Sequence, residues 1–184
     1  MAGHVLRYLR RARIAAALVL PIAGAGALLG VFAAPAWAGC KDHPGPGVDW
    51  TGCQKTKLIL KDEDLQGANL TRADLSMTDL SGADLGGAIL VEATLSRTRL
   101  TGAKLAGADL TKAMLDRAVL AKADLGNARA EKAELDRADL SNANLAGANL
   151  AKSELSRAHL GGADLSGASL ARAYLARADL KGAK

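Results

Sequence analysis

Aromatic residues are scarce in this sequence, which contains one Phe, two Trp and two Tyr among 184 residues. A conventional globular core relies on bulky side chains, and aromatic residues bury the largest area each. Hydrophobic residues nevertheless make up 49% of the chain, and most of them are Ala or Leu. The composition therefore argues against a conventional core and indicates one that is built by repetition.

Residues that carry catalytic chemistry are equally rare. After residue 38 the chain has two His, His43 and His159, and it lacks a nucleophile elbow, a phosphate-binding loop and a zinc-ligand spacing. Asp and Glu are frequent, but they recur at regular intervals, and a regular column of carboxylates does not indicate general acid–base catalysis. The sequence therefore predicts that the protein is not an enzyme and that it uses no cofactor and no metal.

The N-terminal segment is typical of export. An apolar run without charge extends from Ile14 to Cys40 and contains the small-x-small motif Ala36-Trp37-Ala38. We expect a signal peptide helix over residues 1–38, cleaved after Ala38, and a mature protein in the periplasm or cell envelope. An uncleaved membrane anchor, for which the run is long enough, and lipidation at Cys40 remain as alternatives. The basic segment before the run contains Arg7, Arg10, Arg11 and Arg13.

Cysteine is limited to Cys40 and Cys53. Because an exported chain meets an oxidising compartment, an even number of cysteines favours a disulfide between them. The alternative is a zinc site with His43 as a third ligand, but the segment offers no convincing fourth ligand.

The chain also lacks an excess of charge once the leader is set aside. The whole sequence carries a net charge of +5, and the leader contains four Arg and no acidic residue. The remaining chain has 20 basic and 19 acidic residues. Net charge therefore gives no support to nucleic-acid binding.

What the sequence does contain is a period of five residues. Leu occupies 24 of the 25 positions spaced by five from 60 to 180, with Ala130 as the exception, and Ala usually stands two residues before each Leu. A period of five fits neither an α-helix nor a flat strand. The chain must therefore turn after each short extended piece, and we expect a small void or a local tightening at Ala130.

A second period of 20 residues is superimposed on the first. The residue two after each Leu repeats its chemistry every 20 positions, which means four sides per coil and a stacking distance of about 4.8 Å. Residues 48–184 then form about seven coils, a rod roughly 33 Å long. One such column contains Arg97, Arg117, Arg137, Arg157 and Arg177, and the next contains Arg72, Lys112, Lys132, Lys152 and Arg172, interrupted by Glu92.

The repeats resemble those of the pentapeptide-repeat family. Segments such as Ala138-Asp139-Leu140-Ser141-Asn142 and Ala163-Asp164-Leu165-Ser166-Gly167 match its A-(D/N)-L-x-x signature, and the resemblance covers about three quarters of the chain. It implies an all-β fold, a right-handed quadrilateral parallel β-helix with Leu and Ala facing inward. It also implies one alternative function, a DNA mimic that binds and protects topoisomerases. That function needs a cytoplasmic, strongly acidic protein, so an exported chain of balanced charge fits it poorly.

The predicted domains are a signal peptide over 1–38, an N-terminal cap with an irregular first coil over 39–57, and the β-helix over 58–184. Lys55 and Glu63 stand where Leu and Ala are expected, so the first coil is predicted to be irregular, with Trp50 covering its open end and the disulfide holding it. A binding site built from Lys55 and Glu63 is the alternative. The uncapped C-terminal repeats suggest an end-to-end homodimer.

The predicted function is a non-enzymatic structural or interaction scaffold. Its partner is an unknown protein or an anionic envelope polymer, and it meets the membrane only through the signal peptide. The basic columns are the candidate binding surface, because regular positive charge could meet a polyanion. The other interpretation is that these charges pair with neighbouring carboxylates and only keep the rod soluble. The carboxylates concerned belong to Asp116, Glu134, Asp136 and Glu154.

Overall fold

The backbone is a stack of coils joined by parallel β-bridges, as a computed structural model of residues 38–184 describes it. Each bridge pairs a residue with the one 20 positions later, from Asp49↔Asn69 to His159↔Asp179. Each coil therefore has four sides of five residues, and each side contributes a single bridge residue. The four-sided coil predicted from the sequence is confirmed, whereas the predicted signal peptide helix lies outside the described residues, except for Ala38.

A tight turn separates consecutive sides of the coil. The amide of the inward Ala donates to the carbonyl of the preceding Leu, as in Ala93 N to Leu90 O at 3.0 Å. The residue before that Ala has a positive φ at every repeat from 47 to 182, for example 57° at Glu92. A left-handed residue at this place is what a type II turn requires. The five-residue period is therefore an extended segment plus one such turn.

Each coil is hydrogen-bonded only to its two neighbours. In one repeat, Leu90 N donates to Asp109 O at 2.7 Å, Asp109 N to Ala88 O at 2.9 Å, and Glu92 N to Thr111 O at 3.0 Å. Outward Asp and Asn residues support the turns, since Asp139 Oδ1 accepts from Ser141 N at 3.0 Å. Stability is therefore a sum of local repeat terms and nearest-neighbour terms, as in other solenoids.

Leu and Ala side chains fill the interior. From Leu65 to Leu160 the residues at the central position of each repeat are at most 3% exposed. Within residues 38–184 every buried side-chain nitrogen or oxygen has a hydrogen-bond partner, including the three polar residues Thr78, Thr98 and Ser153 that replace inward Ala. The outward positions are thereby free to carry any chemistry that the turn tolerates.

The bridged repeat starts near residue 48, from which the sequence already counted the coils. The first bridge is at Asp49, inside the segment that was expected to be irregular. Lys55 lies buried at a central position, and its Nζ donates to the Cys40 carbonyl at 2.8 Å and lies 3.9 Å from the Trp50 ring centroid. The ammonium is satisfied at the end of the rod while the aliphatic part of the side chain fills the column, so Lys does not interrupt the coil.

Burial changes the pKa of the Lys55 ammonium. Removal from water lowers the pKa of Lys55, and the Asp42 carboxylate opposes this shift.

A short cap closes the N-terminal end. It starts with the 3-10 helix Ala38–Lys41 and is held by the predicted disulfide between Cys40 and Cys53. Trp50 is fully buried beneath it and donates from Nε1 to the Asp42 carbonyl at 3.3 Å. The predicted roles of Trp50 and of the disulfide are therefore confirmed, and the cysteines are not available as zinc ligands.

Ala130 leaves the repeat geometry unchanged. Its amide donates to Asn149 O at 2.8 Å, the same length as the bond from Leu150 N to Ser169 O in the next coil of that column. The backbone therefore does not close over the missing Leu side chain. We expect Ala130→Leu to raise the free energy of unfolding by about 2 kcal/mol, measured by urea denaturation, because it restores the transfer energy of a buried Leu.

A matched control for this substitution is Ala128→Leu, which inserts the same side chain at an inward position that is normally Ala. Overpacking there should cost about 1–3 kcal/mol. An Ala130→Leu variant that is no more stable than the parent would show that the column is already filled.

Candidate functional site

The residues at the left-handed turn position stack into four edges that run along the coil. Ten of the eleven left-handed glycines lie on two neighbouring edges, the ones that contain Gly67 and Gly82. The other two edges carry side chains almost throughout. We call the first the lysine edge, which consists of Gly52, Arg72, Glu92, Lys112, Lys132, Lys152 and Arg172. We call the second the arginine edge, which consists of Lys57, Met77, Arg97, Arg117, Arg137, Arg157 and Arg177.

The basic side chains on these edges occupy a backbone conformation that L-residues avoid. Arg97, Arg117 and Arg137 have φ values of 58°, 56° and 55°, and a left-handed conformation costs a non-glycine residue roughly 1–2 kcal/mol. A Cβ added at Gly67 or Gly87 would meet no atom within 4 Å. At these two positions space does not exclude a side chain, whereas a Cβ added at Gly82, Gly147 or Gly162 would meet the Asp or Asn side chain of the coil beneath.

The guanidinium groups of the arginine edge are largely unpaired. Among the described residues, one ion pair involves this edge, from Arg117 Nε to Asp116 Oδ2 at 3.6 Å. The remaining arginines are exposed and make no ion pair with the rest of residues 38–184. They are Arg97, Arg137, Arg157 and Arg177.

Several basic residues outside the two edges form ion pairs with the coil beneath them. Arg99 reaches Asp79 at 3.9 Å, and Lys104 reaches Asp84 at 3.2 Å. In each pair the partner lies 20 residues earlier, directly beneath in the preceding coil. Four of the five arginines on the arginine edge lack such a partner within residues 38–184, whereas each of these stacked pairs joins a basic residue to a carboxylate in the neighbouring coil.

The lysine edge is partly self-neutralised. Lys112 Nζ lies 3.0 Å from Glu92 Oε1, and Lys152 Nζ lies 3.1 Å from Glu131 Oε1. These hydrogen bonds hold the pKa of Glu92 and of Glu131 below the ordinary value. Both interpretations of the basic columns therefore apply in part: Lys112 and Lys152 are paired on the lysine edge, and, within the described part of the chain, Arg117 alone is paired among the five arginines of the arginine edge.

An acidic side lies between the two edges. It contains a depression of about 390 Å³ whose lining residues are Asp116, Glu134, Asp136, Glu154 and Ser156. The sequence predicted a pair of adjacent basic faces. On the side between the two edges, the positive charge lies at the edges, because the outward residue in the middle of this side is Glu in two successive coils.

The other residues singled out in the sequence do not converge on a site. Lys55 and Glu63 lie on opposite sides of the first coil, two repeats apart, so the structure does not bring them together. His159 is exposed at an outward position. No grouping of His, Cys, Asp and Glu within residues 38–184 is suited to hold a metal ion. The same residues include no helix with the length and apolarity needed to cross a bilayer.

The sequence identified the basic columns but not their conformation. Gly at the second turn position signals a left-handed residue, whereas Arg or Lys there carries no such signal. The structure shows a positive φ at all 17 non-glycine turn residues, which the residue types alone did not indicate.

Comparison with solved structures supports the same fold. The pentapeptide repeat protein HetL from the cyanobacterium Nostoc sp. strain PCC 7120 is 26% identical, with 75% of this chain covering 87% of that chain and a TM-score of 0.36. A trypsin-treated form of QnrB1, a plasmid-mediated fluoroquinolone resistance protein, is 22% identical, with 76% of this chain covering 77% of that chain and a TM-score of 0.59. The likeness to QnrB1 implies a right-handed coil. Among curated proteins, none matches this chain.

The family comparison covers most of the repeat region. The model of the pentapeptide repeats matches residues 56–87, 78–115, 113–151 and 153–184, with eight copies. This range coincides with the coils whose bridges connect residues 20 apart. The chain belongs to the pentapeptide repeat family.

Proposed function

We propose that this protein is an exported, non-enzymatic binding scaffold of the periplasm or cell envelope, and that its arginine edge binds an anionic envelope polymer. Cleavage after Ala38 would release the capped rod of about seven coils. The observation that carries the proposal is the row of unpaired guanidinium groups held at left-handed turn positions. A scaffold whose charges served only solubility would be expected to pair more of them, as Arg99, Lys104 and Arg129 are paired with the carboxylates beneath them.

The geometry suits a linear partner. At the β-stacking distance of about 4.8 Å, the five arginines from 97 to 177 span roughly 19 Å. Each guanidinium presents a planar fork of donors that matches carboxylate, sulfate or phosphate groups. The acidic side next to the edge discourages binding across the face, so the polymer is expected to run parallel to the rod. Because the contacts are exposed, binding should weaken steeply with salt.

The test replaces all five arginines of the edge with Gly in the protein that spans residues 39–184. Gly removes the charge and also relieves the left-handed strain, so this variant should be at least as stable as the parent. We expect binding to lipopolysaccharide and to heparin at low salt to weaken about tenfold or more, since each exposed charge contributes roughly 0.2–1 kcal/mol. Titration calorimetry and salt elution from a heparin column measure this effect.

The matched control removes five positive charges elsewhere. Lys61, Arg99, Lys104, Lys122 and Arg129 lie outside both edges, and their replacement with Gln changes the net charge by the same amount. We expect this control to retain most of the affinity. Equal loss in the two variants would reduce the effect to net charge, and unchanged binding of the Gly variant would refute the proposal.

The alternative function is a DNA mimic that binds topoisomerases. The likeness to QnrB1, itself a resistance protein, is limited to the fold at 22% identity. A row of free arginines is the opposite of the phosphate-like surface that such mimicry needs. Cell fractionation separates the two proposals, because recovery of the uncleaved protein from the cytoplasm would overturn the export proposal.

A further inference from the structure

Tyr174 is an exposed aromatic ring in a protein that otherwise shows none on its coils. It is 58% exposed, and the other aromatic residue in the described part of the chain, Trp50, is buried in the cap. The ring stands at the outward position of a repeat, on the side between the lysine edge and the arginine edge. Its backbone is fixed by bonds from Tyr174 N to Ser153 O at 2.9 Å and from Leu155 N to Tyr174 O at 2.8 Å.

Arginines border this ring on both edges. Arg172 on the lysine edge precedes it by two residues, and Arg177 on the arginine edge follows it by three. Neither makes an ion pair with any residue in 38–184, and the one cation–π contact within those residues belongs to the cap. The turn residues beside them, Ala171 and Ala176, are too small to cover the ring. Ring and guanidinium groups are therefore all available to a ligand.

The surroundings differ from those lower on the same side. Glu154 is the bridge partner directly beneath Tyr174 and closes the acidic depression. In the coil of Tyr174 itself, the corresponding outward positions hold Ala, Arg and Tyr but no carboxylate. A polymer that follows the arginine edge past Arg157 thus arrives at a place where a ring face and two free cations replace the acidic side.

This combination matches the chemistry of an acidic sugar. The C–H groups of a pyranose face pack against the electron-rich face of a phenol ring, which is rigid and loses little entropy on binding. The carboxylate or sulfate of the same sugar accepts paired hydrogen bonds from a guanidinium. A polyphosphate can accept hydrogen bonds from a guanidinium, but it has no sugar ring to pack against the phenol ring.

We infer that Tyr174, Arg172 and Arg177 form a subsite for one acidic sugar unit, so that the polymer bound by the arginine edge is an acidic polysaccharide. This inference rests on the proposed function, since the same polymer occupies the edge. Uronate chains supply both the ring and the charge, and polyphosphate serves as the comparison that supplies charge alone.

The experiment compares two probes, polygalacturonate and inorganic polyphosphate, on the protein of residues 39–184. Tyr174 is the single tyrosine of that protein, because the second, Tyr8, lies in the predicted leader. Its ring signals in an NMR spectrum therefore need no assignment by mutation. We expect polygalacturonate to shift them strongly and polyphosphate to leave them nearly unchanged.

Variants make the expectation quantitative. Tyr174→Ser should weaken polygalacturonate about fivefold, the size of one aromatic stacking contact, and should change polyphosphate affinity by less than twofold. Tyr174→Phe should keep the affinity for polygalacturonate within twofold. The matched control is Met114→Ser, which alters an exposed residue of the same column three coils lower and should have no effect on either probe.

The outcomes separate the subsite from the edge. Equal loss for both probes, or no loss for polygalacturonate, would overturn the sugar subsite while the arginine-to-glycine variant still tests the edge. Failure of the parent protein to bind either probe would overturn the subsite and the proposed function together.

Discussion

Replacement of Trp50 with Ala is expected to destabilise the N-terminal end of the rod by about 3–5 kcal/mol, the usual cost of truncating a large buried aromatic residue. Trp50 is fully buried and starts the column that continues through Leu70 and Leu90. Its ring also lies 3.9 Å from the Lys55 ammonium. Truncation would therefore open a cavity and remove one of the two partners of a buried charge.

Because coils contact only their neighbours, the loss should appear first in the cap and the first coils. Hydrogen exchange measures this directly, and the amides of Cys53 and Lys55, which donate to Trp50 O at 3.0 Å and Asp74 O at 2.7 Å, should lose protection. Amides near the middle of the rod should change little.

A matched control for this substitution is Ile59→Ala in the same coil. Ile59 is 82% exposed, so its truncation should change stability by less than about 0.5 kcal/mol. Trp50→Phe should lose less than Trp50→Ala because an aromatic ring still faces the ammonium. Unaltered exchange in the Ala variant would show that the cap is held by other contacts.

Loss of the disulfide is expected to cost about 3 kcal/mol. The bond joins Cys40 to Cys53, 13 residues apart in sequence, and the loop-closure model assigns about this value to a loop of that length. The bond also holds the Cys40 carbonyl in place, which accepts from Lys55 Nζ at 2.8 Å. Removal would free the segment 38–47 and leave the buried ammonium without a carbonyl partner.

Urea denaturation of the double variant Cys40→Ala with Cys53→Ala measures this cost and leaves no free cysteine. Addition of a reductant to the parent protein should reproduce the result, and the reductant should have no effect on the double variant. If the reduced parent protein kept full exchange protection at Trp50 and Cys53, the cap would be stable without its covalent link.

The interior of this protein was predictable from its sequence, but the regularity of the first coil was not. Leu and Ala repeat with strict spacing, so their burial and the four-sided coil follow from the two periods. Lys55 misled the prediction because an isolated Lys argues against an apolar column. The carbonyl of Cys40 and the ring of Trp50 make the position acceptable, and both come from parts of the chain that the repeat pattern does not describe.

The candidate site was predictable only in outline. The two columns of Arg and Lys are visible as a period of 20 residues. Their ion pairs are not, because pairing depends on side-chain reach between coils: Lys112 reaches Glu92, while Arg137 reaches no carboxylate of residues 38–184 within 4 Å. Tyr174 was not singled out, since one aromatic residue in a repetitive chain gives no signal until its neighbours in space are known.

The sequence by itself determined the repeat, the number of sides and the identity of the inward residues, because a periodic pattern admits one way to bury Leu and Ala together. It also indicated the disulfide and the position of the cap. Only the tertiary structure decided that seventeen side chains lie at left-handed turns, that four of the five arginines of the arginine edge are unpaired within residues 38–184 and that an acidic side separates this edge from the lysine edge. These properties arise between coils, where residues 20 positions apart meet, and local sequence does not specify how their side chains pair.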